Sequence, residues 1–369
     1  MQTILITGGA GFVGRHVAAE LLAQGHRVRA LDSLISQVHP EGRRPADLPE
    51  DVELMIGDVR DGAAVRRALR GVDKVVHLAA EVGVGQSMYA IERYTSANEL
   101  GTAVLFQELI ERPVARVVTA SSMSIYGEGL YRTATGEMIE DVVREGRNRH
   151  GGWDPLDAEG RPLTPAPTPE TKRPNLRSVY AINKFVQERF TLTLTAQYGM
   201  EGCALRLWNI YGPGQALSNP YTGVLAIFAA RLANGQRPMV FEDGAQLRDF
   251  VHISDVARAF ALALAHPAAP GEVFNIGSGE SRSVAEVARL QARAMGCEAL
   301  EPEITGKARA GDIRHNIPDL AKAQRELGYE AKTSFAVGLG ELSEWVARQE
   351  AHDRVGQARQ ELEARGLVA

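Results

Sequence analysis

Two cysteines in 369 residues, Cys203 and Cys297, exclude a disulfide-stapled scaffold. They lie far apart in sequence without metal-ligand spacing, so no metal is expected and both read as reduced thiols of a cytosolic protein. Charge of one sign is also scarce. A net charge of −5 gives no electrostatic footing for nucleic acid. No apolar run is long enough to cross a bilayer, which argues against a membrane protein. Met1–Ile6 lacks the basic region and long apolar stretch of a signal peptide and reads as a strand. What is present is 44% hydrophobic and 24% charged residues, enough apolar content for a large core. A chain of 369 residues suggests two domains, or one large α/β domain with an appendage.

The N-terminal stretch sets the pattern. Thr3–Ile6 is a short apolar strand that runs into Thr7-Gly8-Gly9-Ala10-Gly11-Phe12-Val13-Gly14 and then a helical pattern to Leu22. Strand, glycine turn and helix together are the context a dinucleotide fingerprint needs. The glycines permit a tight turn and let backbone amides approach a pyrophosphate at the helix N-terminus. The second strand, Arg27–Leu31, ends at Asp32, an acid placed about twenty residues on to bind adenosine ribose hydroxyls. A carboxylate there repels a 2′-phosphate, so the expected cofactor is NAD rather than NADP. Arg43-Arg44 in the following loop is the competing phosphate-clamp signal. Further strands are expected at Glu53–Ile56, Lys74–Leu78 and Arg116–Thr119, with one helix from about Ser87 to Ile110 that contains Asn98. Strands alternating with helices predict a doubly wound parallel sheet with ligands at the strands' C-terminal ends. Asp32, Asp58, Ala79 and Ser122 all fall at such ends, and Ala79-Ala80 are small residues where a cofactor could lie close.

The stretch Tyr180-Ala181-Ile182-Asn183-Lys184 sets a phenol and an ammonium four residues apart, on one face of a helix. An ammonium beside a phenol favours the phenolate and lowers a pKa that is ordinarily about 10. Residues 128–177, rich in Gly, Pro, Arg and Glu, interrupt the α/β pattern just before this helix. So long a segment without regular structure is usually a lid or binding loop. Its two ends adjoin Ser122 and Tyr180, so it is expected over or beside the active site, with Trp153 as an apolar anchor. The expected division is residues 1–200 as the dinucleotide-binding domain, carrying the 128–177 insert. Residues 201–349 form a smaller, mostly substrate-binding α/β domain, some of whose elements return to the main sheet. Residues 350–369 are expected as a charged helical tail facing solvent or a partner.

Five separated motifs carry a resemblance across nearly the whole chain. The glycine turn, Asp58-Val59, the set Ser122, Tyr180 and Lys184, and the segments Arg206–Pro213 and Arg248–Asp255 resemble those of the extended short-chain dehydrogenase/reductases that act on nucleotide sugars. The resemblance implies a Rossmann sheet and an NAD site formed by Gly8, Gly11, Phe12, Val13, Gly14, Asp32, Asp58, Val59, Leu78, Ala79, Ala80, Asn98, Tyr180 and Lys184. It implies that Tyr180 removes a sugar hydroxyl proton, that Lys184 lowers the Tyr180 pKa and holds the nicotinamide ribose, and that Ser122 hydrogen-bonds the reacting oxygen. Hydride would pass from the sugar carbon to NAD. Ser122, Ser124, Asn209, Asn219, Arg248 and Arg309 match substrate positions of a nucleoside-diphosphate sugar, where forked arginine donors suit a diphosphate. It also implies a homodimer, with the helices around Asn98 and Tyr180 packing against their copies.

Within that family the residues after Ser122 bear on the reaction. Sugar 4,6-dehydratases resemble one another in an Asp-Glu pair at this point, because water loss needs an extra acid and base. Decarboxylases tend to keep a Glu. Here Met123 and Ser124 stand instead, and neither does general acid/base work near neutrality. A 4-keto-reductase would favour NADP, against Asp32. A 4-epimerase is therefore the expectation. The segment Gly214–Phe228 and the insert most resemble the dTDP-L-rhamnose 4-epimerase group, with UDP-galactose and UDP-glucuronate 4-epimerases as alternatives. A non-catalytic NAD-sensing protein of the same fold is the reading from a different class, although such proteins usually lose the Tyr or the Lys.

Overall fold

The structure is a computed structural model that describes residues 1–144, 146–217, 223–308, 312–349 and 360–368. Of the tail expected at 350–369, residues 350–359 and 369 lie outside the described residues, as do Asn219 and Arg309, expected at the substrate.

The chain opens with β1 (Thr3–Thr7), α1 (Phe12–Ala23), β2 (Arg27–Asp32), β3 (Glu53–Ile56), α2 (Gly62–Ala68) and β4 (Lys74–His77). The single helix expected from Ser87 is instead divided. A turn, α3 (Val84–Ser87), precedes α4 (Ile91–Thr95), a π-helical segment at Ser96–Leu100, and α5 (Gly101–Glu111). The wide turn pushes Asn98 inward, where it is fully buried, and single wide turns of this kind are frequent at functional sites. Then comes β5 (Arg116–Ser122), whose seven residues are all buried.

The segment expected to lack regular structure contains three short strands, β6 (Leu130–Arg132), β7 (Met138–Ile139) and β8 (Thr164–Ala166), paired antiparallel with β6 in the middle. Strands of two or three residues, one of them containing Pro165, are too short to show alternation in the sequence. α6 (Val179–Gln197) follows, capped by the Ser178 hydroxyl on the amide of Ala181.

β9 (Glu201–Leu207) then joins β5 along its whole length. The remaining elements are β10 (Asn209–Tyr211), α7 (Val224–Ala233), β11 (Met239–Val240), β12 (Leu247–His252), α8 (Ile253–Ala265), β13 (Val273–Ile276), β14 (Ser281–Ser283), α9 (Val284–Ala294), β15 (Glu303–Ile304), β16 (His315–Asn316), α10 (Ala321–Leu327) and α11 (Phe335–Val346).

The main sheet has seven parallel strands in the order β13-β9-β5-β4-β1-β2-β3. The order reverses at β1, which pairs with β2 on one side and β4 on the other. Ligands of such sheets bind beyond the strand ends at that reversal. Apolar side chains of α1 and α8 form the core on one face, and those of α2 and α5 form it on the other. A smaller sheet of β10, β12, β14 and β16 packs with α7, α9 and α11 around Tyr211, Phe250, Phe335 and Leu339. The fold is thus a Rossmann-like sheet joined to a smaller C-terminal α/β layer. Among the described residues, no helix is long and apolar enough to cross a membrane.

Candidate active site

A cavity of about 1800 Å³ opens along the C-terminal ends of β1, β2, β4 and β5. Gly8, Gly11, Phe12, Val13, Gly14, Asp32, Asp58, Val59, Leu78, Ala79, Ala80, Ser122, Tyr180 and Lys184 all line it. Its glycine wall is built for close approach. Gly8 has φ +70°, and a Cβ there would sit 2.9 Å from the amide nitrogen of Ala79. A Cβ on Gly14 would sit 2.5 Å from the carbonyl oxygen of Gly8, so α1 can pack onto the turn only with glycine at that place. α1 has no side-chain cap and no acidic residue in its first turn. Its free amides and the positive end of its dipole are left to attract an anion.

Asp32 ends β2 with its carboxylate tied at both oxygens, accepting from the amide of Ala10 at 3.0 Å and from that of Leu34 at 2.9 Å. These bonds fix the carboxylate at the rim of the glycine turn. Asp58 pairs with Arg60 at 2.6 Å, and this hydrogen bond holds its carboxyl below the usual range. Arg43 and Arg44, the competing phosphate-clamp signal, also line the cavity, but their donors are engaged within the protein. Arg43 pairs with Glu41, while Arg44 donates to the carbonyls of Pro49, Val52 and Glu50. The backbone turn, the uncapped helix and the fixed acid together suit a dinucleotide with free ribose hydroxyls.

Asn98, expected at the cofactor, sits behind the cavity wall. It does not line the cavity. Its Oδ1 accepts from the amide of Glu81 at 2.7 Å, and its Nδ2 donates to the carbonyl of Glu81 at 3.1 Å. Both ends of the amide are spent pinning the loop after β4. The cavity wall at Ala79–Glu81 is held from behind by this residue.

At the other end of the cavity, Ser122 closes β5 and Tyr180 and Lys184 project from α6. Ser122 Oγ accepts from the amide of Ser124 at 3.1 Å, which leaves its proton free to donate toward the Tyr180 phenol on the same cavity wall. Lys184 is buried and donates to Gln187 Oε1 at 2.8 Å. The pKa directions run against the expectation. Burial pushes the Tyr180 phenol up to about 12, with the Ser122 hydrogen bond opposing, and burial pushes the Lys184 ammonium down to about 7, with Glu188 opposing. Both groups sit in one poorly solvated pocket, and desolvation disfavours each charged form. The spacing of four residues could not reveal that.

Ser122 aside, the described residues expected on the substrate side lie apart from the cavity. Ser124 is buried, and its hydroxyl has no protein partner. Asn209 Nδ2 donates to the carbonyl of Asp249 at 2.8 Å. Arg248 donates to the backbone carbonyls of Leu247, Ile313 and Arg314. Asp249 does not pair with it but accepts from the amides of Ser278 and Gly279, each at 2.7 Å. None of Ser124, Asn209 and Arg248 lines the large cavity, which on this side is bounded by Leu207, Trp208, Ile210, Leu217 and Trp345.

The insert is ordered by buried charge. Glu128 accepts from the Tyr131 hydroxyl at 2.7 Å and from the amides of Arg314 and His315. Glu242 accepts from Arg144 at 2.7 Å and Arg314 at 2.9 Å, and Arg314 also reaches Asp154 and Asp243. Trp153 is buried with Arg147 stacked 4.6 Å from its ring. The body of the insert therefore docks on residues 242–243 and 312–316. No described residue of the insert lines the cavity, and near its C-terminal end the Asn175 amide bonds the Ile125 carbonyl.

Sequence reasoning missed Glu81, Arg93, Gln187, His77, Thr7 and Thr102. Glu81 and Arg93 line the cavity as a pair 2.6 Å apart. Gln187 carried a usable signal, because it lies three residues past Lys184 and so on the same helix face. The others are brought together only by the sheet.

Residues 4–148 and 157–277 match the NAD dependent epimerase/dehydratase family, and the chain belongs to that family. The dTDP-L-rhamnose 4-epimerase of Burkholderia thailandensis is 36% identical over 354 residues, covering 94% of this chain and 96% of that protein. Among solved structures, the UDP-glucose 4-epimerase of Thermotoga maritima with UDP-glucose superposes with a TM-score of 0.77 at 30% identity, covering 94% of this chain and 99% of that one. MoeE5 in complex with UDP-glucuronic acid and NAD gives a TM-score of 0.73 at 31% identity, with the same coverage.

Proposed function

We propose that the protein is an NAD-dependent 4-epimerase of a nucleoside-diphosphate sugar, acting through a transient 4-keto sugar, with dTDP-L-rhamnose or its C4 epimer as the favoured substrate. The observation that carries the reading is Tyr180, Ser122 and the buried Lys184 lining one cavity together with the glycine turn and Asp32. The similarity to the Burkholderia enzyme supports the choice of sugar.

Gly8, Gly11 and Gly14 with the first turn of α1 would hold the pyrophosphate, and Asp32 the adenosine ribose. NAD, when bound, supplies a reversible hydride acceptor and a positive charge that favours the phenolate. Tyr180 takes the proton from the C4 hydroxyl and returns it to the C4 oxygen after the sugar has turned its other face. Ser122, its acceptor lone pair occupied by Ser124, donates to the reacting oxygen or the phenol and orients both. Met123 and Ser124 supply no second acid or base, which favours epimerisation over loss of water.

The test is incubation of purified protein with dTDP-L-rhamnose, UDP-galactose and UDP-glucuronate without added reductant, followed by NMR. A C4 epimer of unchanged mass with no accumulated NADH is expected. A product lighter by water or carbon dioxide, or turnover only with added NADPH, would overturn the reading.

A further inference from the structure

The helix that presents Tyr180 and Lys184 also carries Gln187, which is 1% exposed. Its Oε1 accepts from Lys184 Nζ at 2.8 Å. Its Nε2 lies 2.9 Å from Thr102 Oγ1 and 3.2 Å from the carbonyl oxygen of Ala79. A backbone carbonyl only accepts, so the amide nitrogen must face Ala79 and the amide oxygen must face the lysine. A flipped amide would set oxygen against oxygen at Ala79 and NH₂ against the ammonium.

Thr102 and His77 pack directly behind Gln187. The Thr102 hydroxyl donates to the carbonyl of Asn98 at 2.5 Å, which leaves its lone pairs for Gln187 and for His77 Nε2 at 2.8 Å. His77 Nδ1 lies 2.7 Å from Thr7 Oγ1, and that oxygen accepts from the amide of Ala79 at 3.3 Å. His77 Nε2 also lies 3.2 Å from Gln187 Nε2. The neutral imidazole either carries its proton on Nδ1, donating to Thr7 and accepting from Gln187, or carries it on Nε2 and donates to Thr102. Complete burial pushes His77 down to about 3, so it adds no charge beside the lysine. The other groups around Lys184 are Tyr180, one turn earlier, and Glu188. The Glu188 carboxylate is already held by Arg206 at 2.7 Å and Ser121 at 2.6 Å.

We propose that Gln187 is the positioning residue of the catalytic lysine: its amide, oriented by Thr102 and Ala79 and backed by neutral His77, holds the Lys184 ammonium in place for the cofactor ribose and for Tyr180. The inference rests on the reading of Lys184 given under the proposed function. A hydrogen bond to the charged form favours that form, so loss of the acceptor should make Lys184 easier to deprotonate.

The test is the Gln187→Met variant, which keeps side-chain length and removes the acceptor. Lysines are labelled with ¹³C at Cε in the NAD-loaded protein, and the Lys184 resonance is identified by its loss in Lys184→Met. The Lys184 titration midpoint is expected to fall by about one pH unit. The alkaline limb of the kcat profile should move down in parallel, while KM changes by less than about twofold. A second pair covers the case in which Gln187→Met does not fold. Thr102→Val removes the hydroxyl that orients Gln187 and should lower the midpoint by a smaller amount, and Thr102→Ser should restore it. A midpoint unmoved in Gln187→Met and Thr102→Val, or a Thr102→Ser variant that behaves like Val, overturns the proposal. The NMR readout does not depend on the sugar. A shifted midpoint in a protein that turns over no nucleotide sugar sustains the inference and sinks the reaction assigned above. Normal 4-epimerisation with an unmoved midpoint does the reverse.

Discussion

The glycine turn and the 128–177 insert flank the same active site but are held together by opposite means. The turn uses absence of side chain: Gly8 and Gly14 let backbone meet backbone, and no charged side chain other than Asp32 is needed to set its shape. The insert uses buried charge, with Glu128, Glu242, Arg144 and Arg314 all largely removed from solvent and bonded to one another. The first device places ligand-facing amides within tenths of an ångström and leaves nothing to titrate. The second fixes one docking geometry, because each buried ion requires its partner, and it contributes little net stability. Chemistry and fold should therefore respond separately to substitutions in the two regions.

The sharpest break is at the phenol. Tyr180→Phe keeps the ring and the packing of α6 and removes only the proton acceptor. Turnover should fall by about 10²–10⁴-fold with Tm and bound NAD unchanged. Retention of a tenth of the wild-type kcat would mean another base. The converse break is Arg314→Met, which leaves the buried Glu242 with Arg144 alone and returns the half-exposed Asp243 and Asp154 to solvent. Such a loss costs about 1–3 kcal/mol. Proteolysis within 128–177 should accelerate, while NAD still binds at the turn. Unchanged proteolysis would show that the insert is held by its apolar residues, among them Trp153. A smaller effect is expected of Asp32→Ala, which should weaken NAD by about tenfold or more, on the order of the 1.4 kcal/mol or more that a lost charged hydrogen bond contributes. Affinity for NADP should change far less, and equal losses for the two cofactors would remove the ribose assignment.

The most gradual effect is on stability against pH. Lys184 is pushed down to about 7 by burial, so between about pH 7 and its ordinary value of 10.5 the unfolded chain binds a proton that the folded chain does not. Stability then rises with pH across that window, by no more than about 1.4 kcal/mol per unit. Tyr180, raised to about 12, contributes the opposite slope only above its ordinary value of 10. Thermal melts between pH 7 and 10 should show the rise, and Lys184→Met should flatten it. A slope that survives the substitution would assign it to another group.

Legibility in the sequence followed the range of the forces involved. Strands, glycine turn and strand-end acids are local patterns, so the sheet and the positions of Asp32, Ser122, Tyr180 and Lys184 could be read in advance. The opposite pKa shifts of Tyr180 and Lys184 come from burial, which depends on what packs around both. The insert's strands were too short to alternate, and the partners of Glu128 and Arg144 lie at residues 242 and 314, beyond any window of local pattern. Asn98 was legible as a residue near the site, but its bonds to the Glu81 backbone were not. The wide helical turn at Ser96–Leu100 points it at the Glu81 backbone, and nothing in that pentapeptide announces such a turn.

The way β9 and β13 rejoin the large sheet has a bearing on modularity. β5, which ends at Ser122, pairs over all seven residues with β9, which begins at Glu201. A chain cut after residue 200 would not be a smaller dinucleotide-binding unit. It would expose the edge of a fully buried strand, unpaired amides and carbonyls included, which is a template for aggregation. Leu207 at the end of β9 leads within two residues into β10 of the smaller sheet, so the strand that completes one sheet also feeds the other. Recombination between relatives would have to exchange whole chains or surface loops, because no single cut separates the half that would grip the cofactor from the half that would choose the sugar.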